Sequence, residues 1–199
     1  MRDDFLLYEL IEYNKARRIA FNNYELFDKN PFYERILSAR YQKNHRIKNR
    51  LYYMITHRKY LYFCTFTFDD SFLKKCTRTK RDLIKASLSC FDSDILYILN
   101  IDYGKKNERE HYHAIVGTDN SLDLRNHLKL YYPFFTSCDS INTSSDDIKR
   151  LTKYINKLAN HTSKDTTANK RVVYNFKGFD KYSKDISSFF LNYCKQHFS

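Results

Sequence analysis

The chain has 199 residues, with 35 Lys and Arg against 23 Asp and Glu, a formal net charge of +12. That length suits one domain, or one domain with a helical extension. A hydrophobic share of 42% excludes global disorder, and the positive balance points to phosphate backbones or anionic surfaces as partners. With only three Gly, at 104, 117 and 178, neither a GxxxxGK[ST] phosphate loop nor a GxGxxG dinucleotide fingerprint can be written.

Residues 4–27 read as an amphipathic helix, with Phe5, Tyr8 and Ile11, and Leu6 and Leu10, recurring at helical spacing. Pro31, after Asn30, opens a second helix that the pattern carries to about residue 56. No acid lies between Glu34 and Asp69, while eight cations do: Arg35, Arg40, Lys43, Arg46, Lys48, Arg50, Arg58 and Lys59. A solvated helix face and a phosphate-contacting face both fit that bias.

From residue 60 the pattern changes. Tyr60 to Phe68 is aromatic and alternates at its end, as a strand does. Residues 80–91 read as a helix, 94–103 as a strand, and 110–117 as a third strand after a polar loop that Gly104 opens. A short helix over 122–132 stops at Pro133, and a fourth strand follows over 134–142. Ser144 or Ser145 caps a helix over 146–160, whose first turn is acidic as the helix dipole favours. Residues 171–176 read as a fifth strand and 187–197 as a closing helix. The order β-α-β-β-α-β-α-β-α implies an α+β fold, a central antiparallel sheet of about five strands with packed helices. The expected organisation is an N-terminal helical extension, 1–58, and a sheet domain, 59–199. The five Cys are scattered without a CxxC pair, which favours free thiols in a reducing compartment. No apolar run reaches the ~20 residues that cross a bilayer, and the acidic start is unlike a signal peptide.

His111 and His113 alternate on the third strand and so share a face. If the hairpin pairs Tyr103 with Glu110, Asp102 stands opposite His111 on that face, and Glu110 points away. A carboxylate and two imidazoles with open positions suit Mg²⁺ or Mn²⁺ acting on phosphate. The bland alternative is two polar side chains on an exposed sheet face. Asn100 is a diagonal neighbour that could assist. In the helix over 146–160, Ile148, Leu151, Ile155 and Leu158 form the apolar stripe, and Tyr154 sits at its edge. Arg150 precedes it by four residues and Lys157 follows by three, on the same flank. Positive charge beside a phenol eases its ionisation, which suits a phosphorus nucleophile. Plain packing is the alternative role for an edge Tyr. YxxK also occurs at Tyr103 and Tyr174, but only Tyr154 lies on a helix after the His strand.

Three segments in order, Cys64-Thr-Phe-Thr-Phe68, Asp102-Tyr-Gly-Lys-Lys-Asn-Glu-Arg-Glu-His-Tyr-His113 and Lys153-Tyr-Ile-Asn-Lys157, resemble the three motifs of the HUH endonucleases. The resemblance covers about residues 60–160 and is greatest to rolling-circle replication initiators (Rep proteins) of small single-stranded DNA phages, plasmids and related viruses. Those proteins carry a strand like FTLTF, a segment like E-Y-G-x-x-x-G-R-x-H-x-H, and a YxxK helix. Here Asp102 replaces the commoner Glu, and Glu108 the usual loop Gly.

The resemblance implies an HUH/RRM-like palm fold in which Asp102, His111 and His113 bind Mg²⁺ or Mn²⁺. It implies that Tyr154 attacks the scissile phosphate of single-stranded DNA at an origin, often a hairpin, and that Lys157 positions the phosphoryl group. The products would be a free 3′-hydroxyl and a 5′-phosphotyrosine link, and the reverse reaction would rejoin strands to end rolling-circle replication. Arg109, Arg150 and Lys153 are candidate DNA contacts. A host helicase and a host DNA polymerase would be the partners, in the cytoplasm of a bacterial host, with no membrane. Other readings are an HUH transposase or relaxase, a non-catalytic DNA-binding replication or repressor protein, and an RNA-binding sheet. Transposases of this type place a Gln where Leu158 stands, relaxases carry a third His, and an RNA-binding sheet would show aromatics rather than His and Asp.

Overall fold

The computed structural model describes residues 4–22, 31–103, 110–132, 134–142, 144–160 and 173–174. The expected helix over 187–197, Arg109 and Cys194 lie outside the described residues. The chain divides into two compact units. Among the described residues, the first holds the N-terminal helices up to Thr56 and the helix after Ser144. The second holds 57–142 and the strand at 173–174.

In the first unit, α1 (Asp4–Asn22) buries Leu6, Leu7, Leu10 and Ile11. The expected single helix from Pro31 is two, α2 (Pro31–Leu37) and α3 (Ala39–His57). The break has a local cause. The Ser38 hydroxyl accepts a hydrogen bond from the Tyr41 amide at 3.3 Å, which caps the new helix. Buried Ile47 and Leu51 to Ile55 make α3 a core helix. It is tied to α1 by the Lys48–Glu9 ion pair at 3.0 Å and by the His45 ring stacked on Tyr13. The fourth helix of this unit, α7 (Ser145–Asn160), packs on α1. Ser144 is its cap, its hydroxyl accepting from the Asp147 amide at 3.3 Å.

Burial, then the Lys48 charge, pulls the His45 pKa from 6.5 down to about 3. The native imidazole therefore stays neutral while the unfolded one takes a proton near pH 6.5. Stability is full above that pH and is lost as pH falls toward 3, by about 1.4 kcal/mol per pH unit. His45→Phe keeps a ring on Tyr13 and is expected to lose that share of the pH slope, read by urea unfolding of both proteins between pH 6.5 and 4.

The second unit is an antiparallel sheet of four developed strands, β1 (Tyr60–Thr67), β2 (Leu96–Tyr103), β3 (Glu110–Thr118) and β4 (Phe135–Ser140). A two-residue strand, β5 (Val173–Tyr174), is what forms of the expected 171–176 strand among the described residues. The order is β4-β1-β3-β2-β5, so β3 is central. A short helix that the sequence reading missed, α4 (Asp70–Leu73), precedes α5 (Lys80–Phe91), and α6 (Leu124–Tyr131) precedes β4. Side-chain caps start all three: Asp69 for α4, Thr79 for α5 and Asp123 for α6.

The architecture is α+β with packed helices. Period-two alternation gives the sheet two faces. Phe66, Leu99, Ile101, Tyr112, Ala114 and Val116 form a continuous core with Ile84, Leu88, Leu124 and Leu128 of α5 and α6. Cys64 and Cys138 meet in that core with their Sγ atoms 3.4 Å apart, and both are free thiols. The other face carries the polar residues of the site.

Two cations of the basic run are structural. Lys48 pairs with Glu9, and buried Arg58 bridges Asp94 and Asp119, both at 3.2 Å. Arg46 and Lys59 are exposed. Among the described residues no helix is long and apolar enough to cross a membrane.

Candidate metal centre

The β2–β3 register pairs Tyr103 with Glu110, Asp102 with His111 and Asn100 with His113. This is the register the hairpin reading assumes. Directly paired residues project to the same side, so Asp102, Asn100, His111 and His113 share one face. One ligand atom from each of Asp102, His111 and His113 lies within 4.8 Å of the others. His113 Nε2 stands 3.8 Å from Asp102 Oδ2, with the two side chains only 15% and 19% exposed. That separation exceeds a hydrogen bond. Metal–ligand bonds of about 2.0–2.2 Å place neighbouring donors roughly 3 Å apart, so small side-chain rotations would close the three donors on one ion. One carboxylate with two neutral imidazoles leaves open positions for water or a phosphate oxygen. The residues present therefore fit a divalent cation.

Glu110 belongs to the opposite face, as its position predicts. It accepts from the Tyr112 hydroxyl at 2.8 Å and pairs with Lys80 of α5. Its charge is used to fasten β3 to α5 and not in the triad.

On the other flank of β3, β1 pairs Thr65 with His113 and Thr67 with His111. Thr65 Oγ1 lies 3.1 Å from His113 Nδ1. The Phe63 ring stacks on the His113 ring at 5.4 Å between centroids and 21° between planes. Sequence reasoning treated the Thr-Phe-Thr strand as a motif without a contact. The signal was its alternation, which puts Thr65 and Thr67 on one face and Phe66 on the other, but the neighbouring strand was unknown.

No family model matches the chain, and no curated protein is similar to it. Among solved structures it is similar to the crystal structure of the hypothetical protein ORF119 from Sulfolobus islandicus rod-shaped virus 1. The identity is 21%, over 60% of this chain and 96% of that one, with a TM-score of 0.40. A likeness of that size carries no argument about function.

The remaining candidates lie on α7. The sequence division assigns this helix to residues 59–199, whereas by its contacts it groups with the N-terminal helices in the first unit. The triad belongs to the second unit, so one unit assembles Asp102, His111 and His113, and the other carries Tyr154, Lys157, Arg150 and Lys153. Tyr154 is half-buried and its hydroxyl oxygen is shielded from solvent. Lys153 is exposed. Arg150 is exposed and reaches back one turn to Asp147 at 3.8 Å. Lys157 follows Tyr154 by three positions on the helix, and its side chain lies outside the described residues. Tyr174, the other late YxxK tyrosine, lies on β5 opposite Leu99 of β2.

Proposed function

We propose that this protein is a replication initiator of the HUH class, which nicks and rejoins single-stranded DNA at a replication origin through a tyrosine. The observation that carries the reading is the triad. Two histidines two residues apart on a central strand meet an aspartate nine residues upstream, with three donor atoms inside 4.8 Å. The order of the three motifs along the chain and the net charge of +12 support it.

Asp102, His111 and His113 would hold Mg²⁺ or Mn²⁺, which would supply Lewis-acid polarisation of the scissile phosphate. Tyr154 Oη attacks that phosphorus. A new Oη–P bond forms as the phenol proton passes to solvent, the P–O3′ bond breaks, and the leaving oxygen takes a proton from solvent to become a free 3′-hydroxyl. The 5′ side stays on the protein as a phosphotyrosine. Because the Tyr154 hydroxyl is shielded, DNA must uncover it before attack. Lys157 neutralises the phosphoryl group, and Arg109, Arg150 and Lys153 contact the strand. The same step reversed rejoins strands. The 3′-hydroxyl suits a host polymerase, and unwinding falls to a host helicase in a bacterial cytoplasm.

The test is a denaturing gel. The protein is mixed with labelled single-stranded oligonucleotides tiling its own replicon, with Mn²⁺ or with EDTA. The reading predicts a slow protein–DNA band that forms with Mn²⁺ and not with EDTA. Tight DNA binding with no such band on any strand would replace it with a non-catalytic binding protein.

A further inference from the structure

We propose that Thr65 is a positioning residue for the metal centre. Its hydroxyl accepts a hydrogen bond from His113 Nδ1–H, which holds Nε2 unprotonated and turned toward Asp102 and His111. The proposal rests on the metal reading above and adds to it a residue on a third strand.

A neutral imidazole carries one proton on two nitrogens, so a bare Nε2 requires N–H at Nδ1. In a partly buried ring that N–H needs an acceptor, or the tautomer is disfavoured. Thr65 Oγ1 is 3.1 Å from Nδ1, and Nε2 is the nitrogen that faces Asp102 Oδ2, at 3.8 Å. The two ring nitrogens are thus divided, one to β1 and the other to the triad. Asp102 alone favours the opposite tautomer, because a carboxylate draws the imidazole proton to Nε2. When a cation takes that place, the proton must move to Nδ1. A hydroxyl can serve both states, since it donates to a bare Nδ1 and accepts from Nδ1–H.

Three features make the contact specific to Thr65. Its position opposite His113 is set by the β1–β3 register and not by a loop. Asn100 flanks His113 from the other side, but its amide Nδ2 donates to the Ile101 carbonyl at 3.3 Å. Phe63, two residues before Thr65 on the same face, stacks on the His113 ring and limits its rotation. Partners of metal-bound histidines in this position typically change metal affinity by about 10–100-fold when removed.

The experiment is a Mn²⁺ titration of the full chain by calorimetry at pH 8, for wild type, Thr65→Val and Thr65→Ser. Valine keeps the branched strand shape and deletes the hydroxyl. Serine keeps the hydroxyl and deletes the methyl. The proposal predicts Mn²⁺ affinity at least about tenfold weaker for Thr65→Val and within about threefold of wild type for Thr65→Ser. It also predicts that long-range ¹H–¹⁵N spectra with Mg²⁺ show His113 as the Nδ1–H tautomer in wild type and Thr65→Ser. Equal affinity for Thr65→Val and wild type would overturn the proposal and leave the metal site standing. Equal weakening in both variants would assign the effect to packing and also overturn it. A wild-type chain that binds no Mn²⁺ would remove the metal reading and the proposal together.

Discussion

Tyr154→Phe is expected to abolish the covalent protein–DNA band, by at least about a thousandfold in rate, because it removes the proposed attacking atom. The substitution deletes Oη and leaves the ring in its half-buried place on α7. Because Tyr154 is not among the three clustered donors, Mn²⁺ affinity should be unchanged. The variant thus separates chemistry from metal binding. If the band survives Tyr154→Phe, the enzyme class stands and the nucleophile moves to another tyrosine, with Tyr174 on β5 the next to replace.

Asp102→Asn should have the second largest effect, a loss of Mn²⁺ affinity of about a hundredfold or more. Asp102 is the only anionic donor among the three clustered side chains. At an effective dielectric near 20, two unit charges 4 Å apart interact by about 4 kcal/mol, and a divalent ion feels more. Asparagine keeps the shape of the side chain and removes that attraction. An ion held by two neutral imidazoles and an amide would then be left largely unbalanced where the side chains are only 15–19% exposed. The adduct should fail in parallel with the affinity. Asp102→Glu is the companion variant. The added methylene is the length common among the proteins the motif resembles, so Mn²⁺ binding should persist.

The part of the site that is local in sequence was legible. Asp102 and the alternation of His111 and His113 lie on two paired strands, β2 and β3, where face and register follow from period two. The opposite placement of Glu110 came from the same count. The contribution of β1 was not legible. Its pairing with β3 joins residues 48 apart, Thr65 and His113, and no local pattern names that neighbour. The break at Ser38 was missed because one capping hydroxyl stands between Leu37 and Ala39 with no Gly or Pro beside it. The stripe of α7 marked Ile148 and Leu151 as buried, but a stripe does not say which helix it meets, and here α1 is a partner. Likewise the basic run could not reveal that Lys48 and Arg58 are taken by Glu9, Asp94 and Asp119, since ion pairs of this kind are set by the tertiary fold.

If a tyrosine of this chain attacks DNA with help from the Asp102–His111–His113 centre, as proposed, the bond it makes to the strand can be read on the protein. The most direct measurement is mass spectrometry of the protein after reaction with single-stranded origin DNA in Mn²⁺, followed by nuclease and protease digestion. The account predicts a nucleotide linked by phosphate to Tyr154, present with Mn²⁺ and absent with EDTA or in Asp102→Asn. Nucleotide on no tyrosine, or linkage that forms equally well in EDTA, would contradict it.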